Sequence, residues 1–137
     1  VLALSIRQPF AELILRGIKT AELRGRPTKI VGQRFYIYAA KKKLPVDSCQ
    51  LPVKAWSSDL QVGHPPAWMI ELAEQIKLLP EGIDLPTGVI VGSAVIEKII
   101  PPFHSDDLYQ WVLTDVRRLH RCRKPARHPQ PVWFRPF

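Results

Sequence analysis

A chain of 137 residues, 46 % of them hydrophobic, can bury one sizeable core and is expected to form a single domain. Charged residues or prolines interrupt every apolar run, which excludes a bilayer-spanning helix; Arg7, Glu12 and Arg16 also break the first run too early for a signal peptide, so a cytoplasmic protein is expected. The net charge of +8 directs attention to an anionic partner.

Leu2 to Ile6 predicts a short buried strand. Apolar residues at 10, 11, 13, 14 and 15 predict a short helix over Phe10 to Arg16, with Pro9 in its first turn and Gly17 as a left-handed cap. Thr20 to Arg24 alternates as a second strand, with Ala21 and Leu23 toward the core and Thr20, Glu22 and Arg24 on the other face. Arg34 to Ala40 is the clearest strand, rich in aromatic and β-branched residues. Tyr36 and Tyr38 share one of its faces, and Phe35 and Ile37 the other. The lysines 41–43 end it.

Prolines at 45, 52, 65 and 66 mark 44–66 as an irregular insertion. Pro66 opens a second helix to about Leu79, with Met69, Leu72, Ala73, Ile76 and Leu79 on an apolar stripe and Glu71, Glu74 and Lys77 facing solvent. Gly88 to Ile100 predicts a long strand in which Gly92 marks a bend or a close backbone approach. Tyr109 to Leu119 alternates again, and Pro131 to Arg135 supplies a last strand. Two helices and short strands without a βαβ rhythm predict an α+β domain: a small curved β-barrel with flanking short helices.

Charge is segregated along the chain. Residues 1–43 hold ten Lys or Arg against two Glu, 44–107 three against nine acidic residues, and 108–137 seven against one. If the two ends meet, their potential merges into one positive face suited to phosphates. A solvated basic surface without a partner is the plainer alternative.

Ser5, Arg7, Lys19, Glu22 and Arg24 flank the first helix, which is expected to bring them onto one cavity with Lys41 near its mouth. Lys19 is the sharpest catalytic candidate: desolvation would make its amine a base or nucleophile, and a charged amine would grip a phosphate or carbonyl oxygen. Glu22 could accept from an exocyclic amine or activate water, or simply pair with Lys19, Arg7 or Arg24. Arg7 and Arg24 offer forked donors to an anion. Tyr38 beside the lysines could stack a base or serve the core. Lys42, Lys43, Arg117, Arg118, Arg121, Arg123 and Lys124 are expected to contact nucleic-acid phosphates. Trp111 and Trp133 suit the core, whereas Trp56 and Trp68, near proline turns, could line a groove. Cys49 and Cys122 are expected to be free thiols without the spacing of a zinc site; His120-x-Cys122 with His128 is the minor alternative of a zinc ligand set, and the main expectation is no metal or other cofactor.

Leu4-Ser-Ile-Arg-Gln-Pro-Phe-Ala, then Gly17-x-Lys19-Thr20-x-Glu22-x-Arg24, then Gly32-x-Arg-Phe-Tyr-Ile-Tyr-Ala-Ala-Lys41 together resemble the ASCH family of PUA-like β-barrels. Thr87-Gly-Val-Ile-Val-Gly, Tyr109-Gln-Trp-Val-Leu and Gln130-Pro-Val-Trp-Phe extend the likeness to nearly the whole chain. The resemblance implies a cleft for RNA, single-stranded nucleic acid or a modified nucleoside. Some members are amidohydrolases that deacetylate N4-acetylcytidine, others are ribonucleases, and others are binding modules. The motif lysine of the amidohydrolases falls on Lys19. Glu22 stands where that subgroup tends to have threonine, Gly25-Arg26 where related chains often have Ser-Trp, Tyr38 where histidine is common, and Pro131 where glycine is frequent. The leading expectation is a monomeric RNA- or nucleotide-binding domain; a metal-independent amidohydrolase or ribonuclease, and a protein-interaction module with a vestigial cleft, are the alternatives.

Overall fold

A computed structural model describes residues 1–42, 67–103 and 108–137 of the chain. Alternation along β3 (Arg34–Ala39) buries Phe35, Ile37 and Ala39 completely. The same core takes Leu4 and Ile6 from β1 (Ala3–Ile6), Val91, Ala94 and Ile96 from β4 (Val89–Ile100), and Trp111 and Leu113 from β5 (Tyr109–Arg123). With β2 (Ala21–Arg24) and β6 (Trp133–Phe134) these strands form one six-stranded sheet in the order β2-β5-β4-β3-β1-β6. β1 runs parallel to β3, and the other pairings are antiparallel.

Register shifts between Ile37 and Tyr38 on β3, and at three places along β4, bend the sheet. Gly92 lies within the bent region. A Cβ there would stand 2.5 Å from both the Arg117 carbonyl oxygen and the Leu15 side chain, so the expected close approach is real. The curl brings the sheet's two ends together. Trp111 on β5 stacks on Trp133 on β6 with centroids 5.9 Å apart, and Arg24 on β2 donates to the Ser5 carbonyl on β1. Side chains rather than a backbone ladder close the half-barrel, and the α+β class and small curved barrel read from the sequence are what the structure shows.

Helix α1 (Phe10–Leu15) buries Ala11, Leu13 and Ile14. Gly17 ends it at φ +75°, and the amides of Ile18 and Lys19 both donate to the Leu13 carbonyl. Buried Gln8 accepts the Glu12 amide and donates to the Pro86 carbonyl, satisfying a donor that the helix start leaves open.

Three elements have a boundary that changes by more than one residue. β5 continues past Leu119 to Arg123, because Ile90 still pairs with Arg123 although the outer residues are exposed; periodicity reports burial, and here pairing outlasts burial. β6 is only Trp133–Phe134 rather than 131–135. The second helix, α2, spans Ala67–Ile76 and gives way to turn bonds from Leu78 and Leu79 to the carbonyls of Gln75 and Ile76.

The chain divides into two compact units, residues 1–43 with 85–137, and residues 44–84. The second starts where the sequence expects an insertion and includes α2, on which Leu72, Ala73 and Ile76 are buried while Glu71, Glu74 and Lys77 are exposed. The 44–66 insertion, Lys43, Cys49, Trp56, His64, His104 and the side chains of Trp68 and Met69 lie outside the described residues. Among those that are described, no helix is long and apolar enough to cross a membrane.

Candidate functional site

The turn at Gly17 delivers Lys19 to the start of β2, where two-residue alternation aligns Glu22 with Arg24. Lys19 Nζ donates to the Ala21 carbonyl and, at 2.9 Å, to Glu22 Oε1. Glu22 Oε2 accepts from Arg24 Nε at 3.0 Å and Nη2 at 2.7 Å, and Arg24 Nη2 reaches on to the Ser5 carbonyl at 2.9 Å. The Arg24 guanidinium also lies 5.9 Å from the Trp111 ring centre. Lys19 and Glu22 are only 4 % and 6 % exposed, whereas Ala21 and Leu23 are half-buried. This corrects the expected orientation of β2. Its charged face turns into the seam of the curled sheet, and ion pairing makes that burial tolerable. Burial pushes the Glu22 carboxyl up, but Lys19 and Arg24 outweigh it and hold the group below its ordinary value.

A second polar site lies beyond Ser5. Tyr38, Lys41, Gly88, Lys124, Arg127 and His128 line a cleft of about 680 Å3 whose described lining contains no carboxylate. Gly88, at φ +74°, lets the Lys41 stem pass close: a Cβ there would stand 3.3 Å from Lys41 Cγ. Tyr38 is 3 % exposed and packs edge-on against Phe134, with burial raising its hydroxyl above the usual value. It therefore forms a wall rather than an open platform. Arg127 and His128 belong to the segment between β5 and β6, and β6 pairs with β1. The basic ends of the chain meet here.

The remaining expected residues are dispersed. Arg7 is exposed and stands outside the Lys19–Glu22–Arg24 chain; Lys41 lines the second cleft. Lys42 and Arg121 are exposed. Arg117 pairs with Asp115, which also holds Arg34. Arg118 grips buried Glu12 with both terminal nitrogens, at 3.0 and 2.8 Å, and Arg16 binds the same carboxylate. Although burial pushes the Glu12 carboxyl up, hydrogen bonds from Arg118 and Arg16 hold it below its usual value. Arg123 lies over the Phe137 ring at 4.2 Å. Cys122 is a free, exposed thiol. Among the described residues, no three His, Cys, Asp or Glu side chains form a group that could hold a metal ion.

Sequence reasoning overlooked His128 as a neighbour of Lys41, and Glu12 as a buried carboxylate. Glu12 interrupts an apolar helix face four residues before Arg16, which is the signal that could have marked it.

A family model, the ASCH domain, matches residues 4–124, which is most of the chain. The match ends at Lys124, the first residue of the segment that carries Arg127 and His128. No curated protein matches.

Proposed function

The chain belongs to the ASCH domain family, and on that premise we propose that it binds single-stranded RNA or a nucleotide through phosphates held in the cleft between Lys41 and residues 124–128. One observation carries the reading: two lysines, an arginine and a histidine from distant parts of the sequence converge on one concave surface, with no carboxylate among the described residues that line it. Unpaired, hydrated cations in a concave site concentrate positive potential and release counterions when a polyanion binds. Such contacts fix a strand without reading its bases. Buried Tyr38 adds shape rather than an exposed stacking face.

Fluorescence anisotropy of a labelled single-stranded oligoribonucleotide tests this. Three phosphate contacts correspond to a slope of about −2 in log affinity against log salt, or roughly a 16-fold loss for each fourfold rise in salt. Absence of binding at low salt, or an affinity indifferent to salt, overturns the proposal.

The amidohydrolase reading draws on the buried Lys19–Glu22 pair, with Lys19 as the proton-transfer group. Turnover of N4-acetylcytidine by the wild type, falling by about 100-fold or more in Lys19→Met with smaller loss of nucleoside binding, would carry that reading over the first.

A further inference from the structure

Between the end of β5 at Arg123 and the start of β6 at Trp133, the chain crosses the sheet without pairing in a ladder. This crossing carries Lys124, Arg127 and His128, three of the groups that line the cleft with Lys41. Its position depends on a few tethers. The amides of Ala126 and Arg127 donate to the Pro136 carbonyl, which ties the crossing to the chain's own last residues. Among the described residues, the hydrogen bonds that join the crossing to β1 come from Ser5. Ser5 donates its hydroxyl to the Gln130 carbonyl and its amide to the Val132 carbonyl, the latter at 2.9 Å.

Ser5 is itself held from the opposite side. It sits on β1 in register with Tyr38, and its carbonyl accepts Arg24 Nη2. The other two side-chain hydrogen bonds of Arg24 go to Glu22, whose other oxygen is held by buried Lys19. The buried charges at the seam thus end on the strand residue that anchors the cationic wall.

We infer that Ser5, backed by Arg24, Glu22 and Lys19, is a positioning residue for the phosphate cleft. It holds the 124–130 wall against Lys41 and does not itself contact the ligand. This inference rests on the proposed phosphate-binding role of the cleft. A wall fixed before binding spares the ligand the cost of ordering it, so its loss weakens binding without removing a charge. Restoring a hydroxyl restores the tether.

Amide hydrogen exchange on the free protein, read beside RNA affinity and its salt slope, tests this. Ser5→Ala is expected to raise exchange across 124–132 while β3 and β4 keep their protection. RNA affinity should fall about three- to tenfold, the equivalent of one net hydrogen bond, and the salt slope should become shallower by about 0.7 for each phosphate contact released. Ser5→Thr should recover both. Arg24→Lys, which keeps the charge but loses the fork, should repeat the exchange change through the Ser5 carbonyl and so provides an independent variant. Unchanged exchange in both Ser5→Ala and Arg24→Lys overturns the inference, as does raised exchange with wild-type affinity and slope. Wild-type protein that binds no RNA overturns the functional proposal instead, while the exchange measurement, made without RNA, still decides whether Ser5 holds the wall.

Discussion

The seam at Lys19–Glu22–Arg24 and the cleft at Lys41–Lys124–Arg127–His128 are both rich in cations, yet they are built in opposite ways. At the seam a carboxylate sits between two cations, Lys19 and Glu22 are buried, and the polar atoms turn toward one another. At the cleft the cations are exposed, and no acidic side chain joins them among the described lining residues. Burial requires charge to be matched within the protein; exposure allows it to remain unmatched and available to a ligand. The seam is therefore expected to govern stability and the cleft to govern binding.

Glu22→Gln is the strongest way to break that division. It leaves Lys19 buried without its counter-charge and should cost about 3–5 kcal/mol in denaturant unfolding. A loss below about 1 kcal/mol would mean that the seam is no more sensitive than a surface pair. Next in size is Gly92→Ala, whose Cβ would press on the Arg117 carbonyl and Leu15. It should cost about 1–3 kcal/mol by the same measurement while leaving the composition of the cleft untouched.

Acidification sharpens the comparison without mutation. The folded-state values of Glu22 and Glu12 lie below their ordinary ones, so the stability they contribute is complete above the unfolded-state carboxylate range and is lost as pH falls through the lower folded values. Unfolding free energy should thus decline below about pH 4, and Glu22→Gln should flatten part of that decline. A wild-type profile that is flat down to about pH 2 would contradict the pairing at both carboxylates. The smallest stability effect is expected at the cleft. Lys124→Ala and Arg127→Ala should each change unfolding free energy by no more than about 0.5 kcal/mol, yet each should make the RNA salt slope shallower by about 0.7. A stability loss as large as that at the seam would place these groups among the structural charges.

The sequence made the barrel elements legible where burial and pairing coincide. Phe35, Ile37 and Ala39 show the period of two, and Gly17 after an apolar stretch marks the end of α1. The spacing of Lys19, Glu22 and Arg24 likewise anticipates their grouping. What it leaves open is which face of a strand lies inside: alternation separates Glu22 from Leu23, but only the curl of the sheet turns Glu22 into the seam. The last residues of β5 escape for the opposite reason, being paired without burial. Arg118 meets Glu12 across 106 positions, and His128 joins the cleft of Lys41 only after β6 docks on β1. No local pattern records such meetings.

Closing the sheet with side chains has a consequence for the chain in a crowded solution. The two terminal strands of the sheet, β2 and β6, are only four and two residues long. A stray strand from another molecule would find few open amides and carbonyls to copy, and at β2 it would meet Glu22 and Arg24 committed to a charged cluster. At β2 and β6 themselves, the same brevity that leaves the half-barrel without a backbone seam gives edge-to-edge sheet growth little to start from.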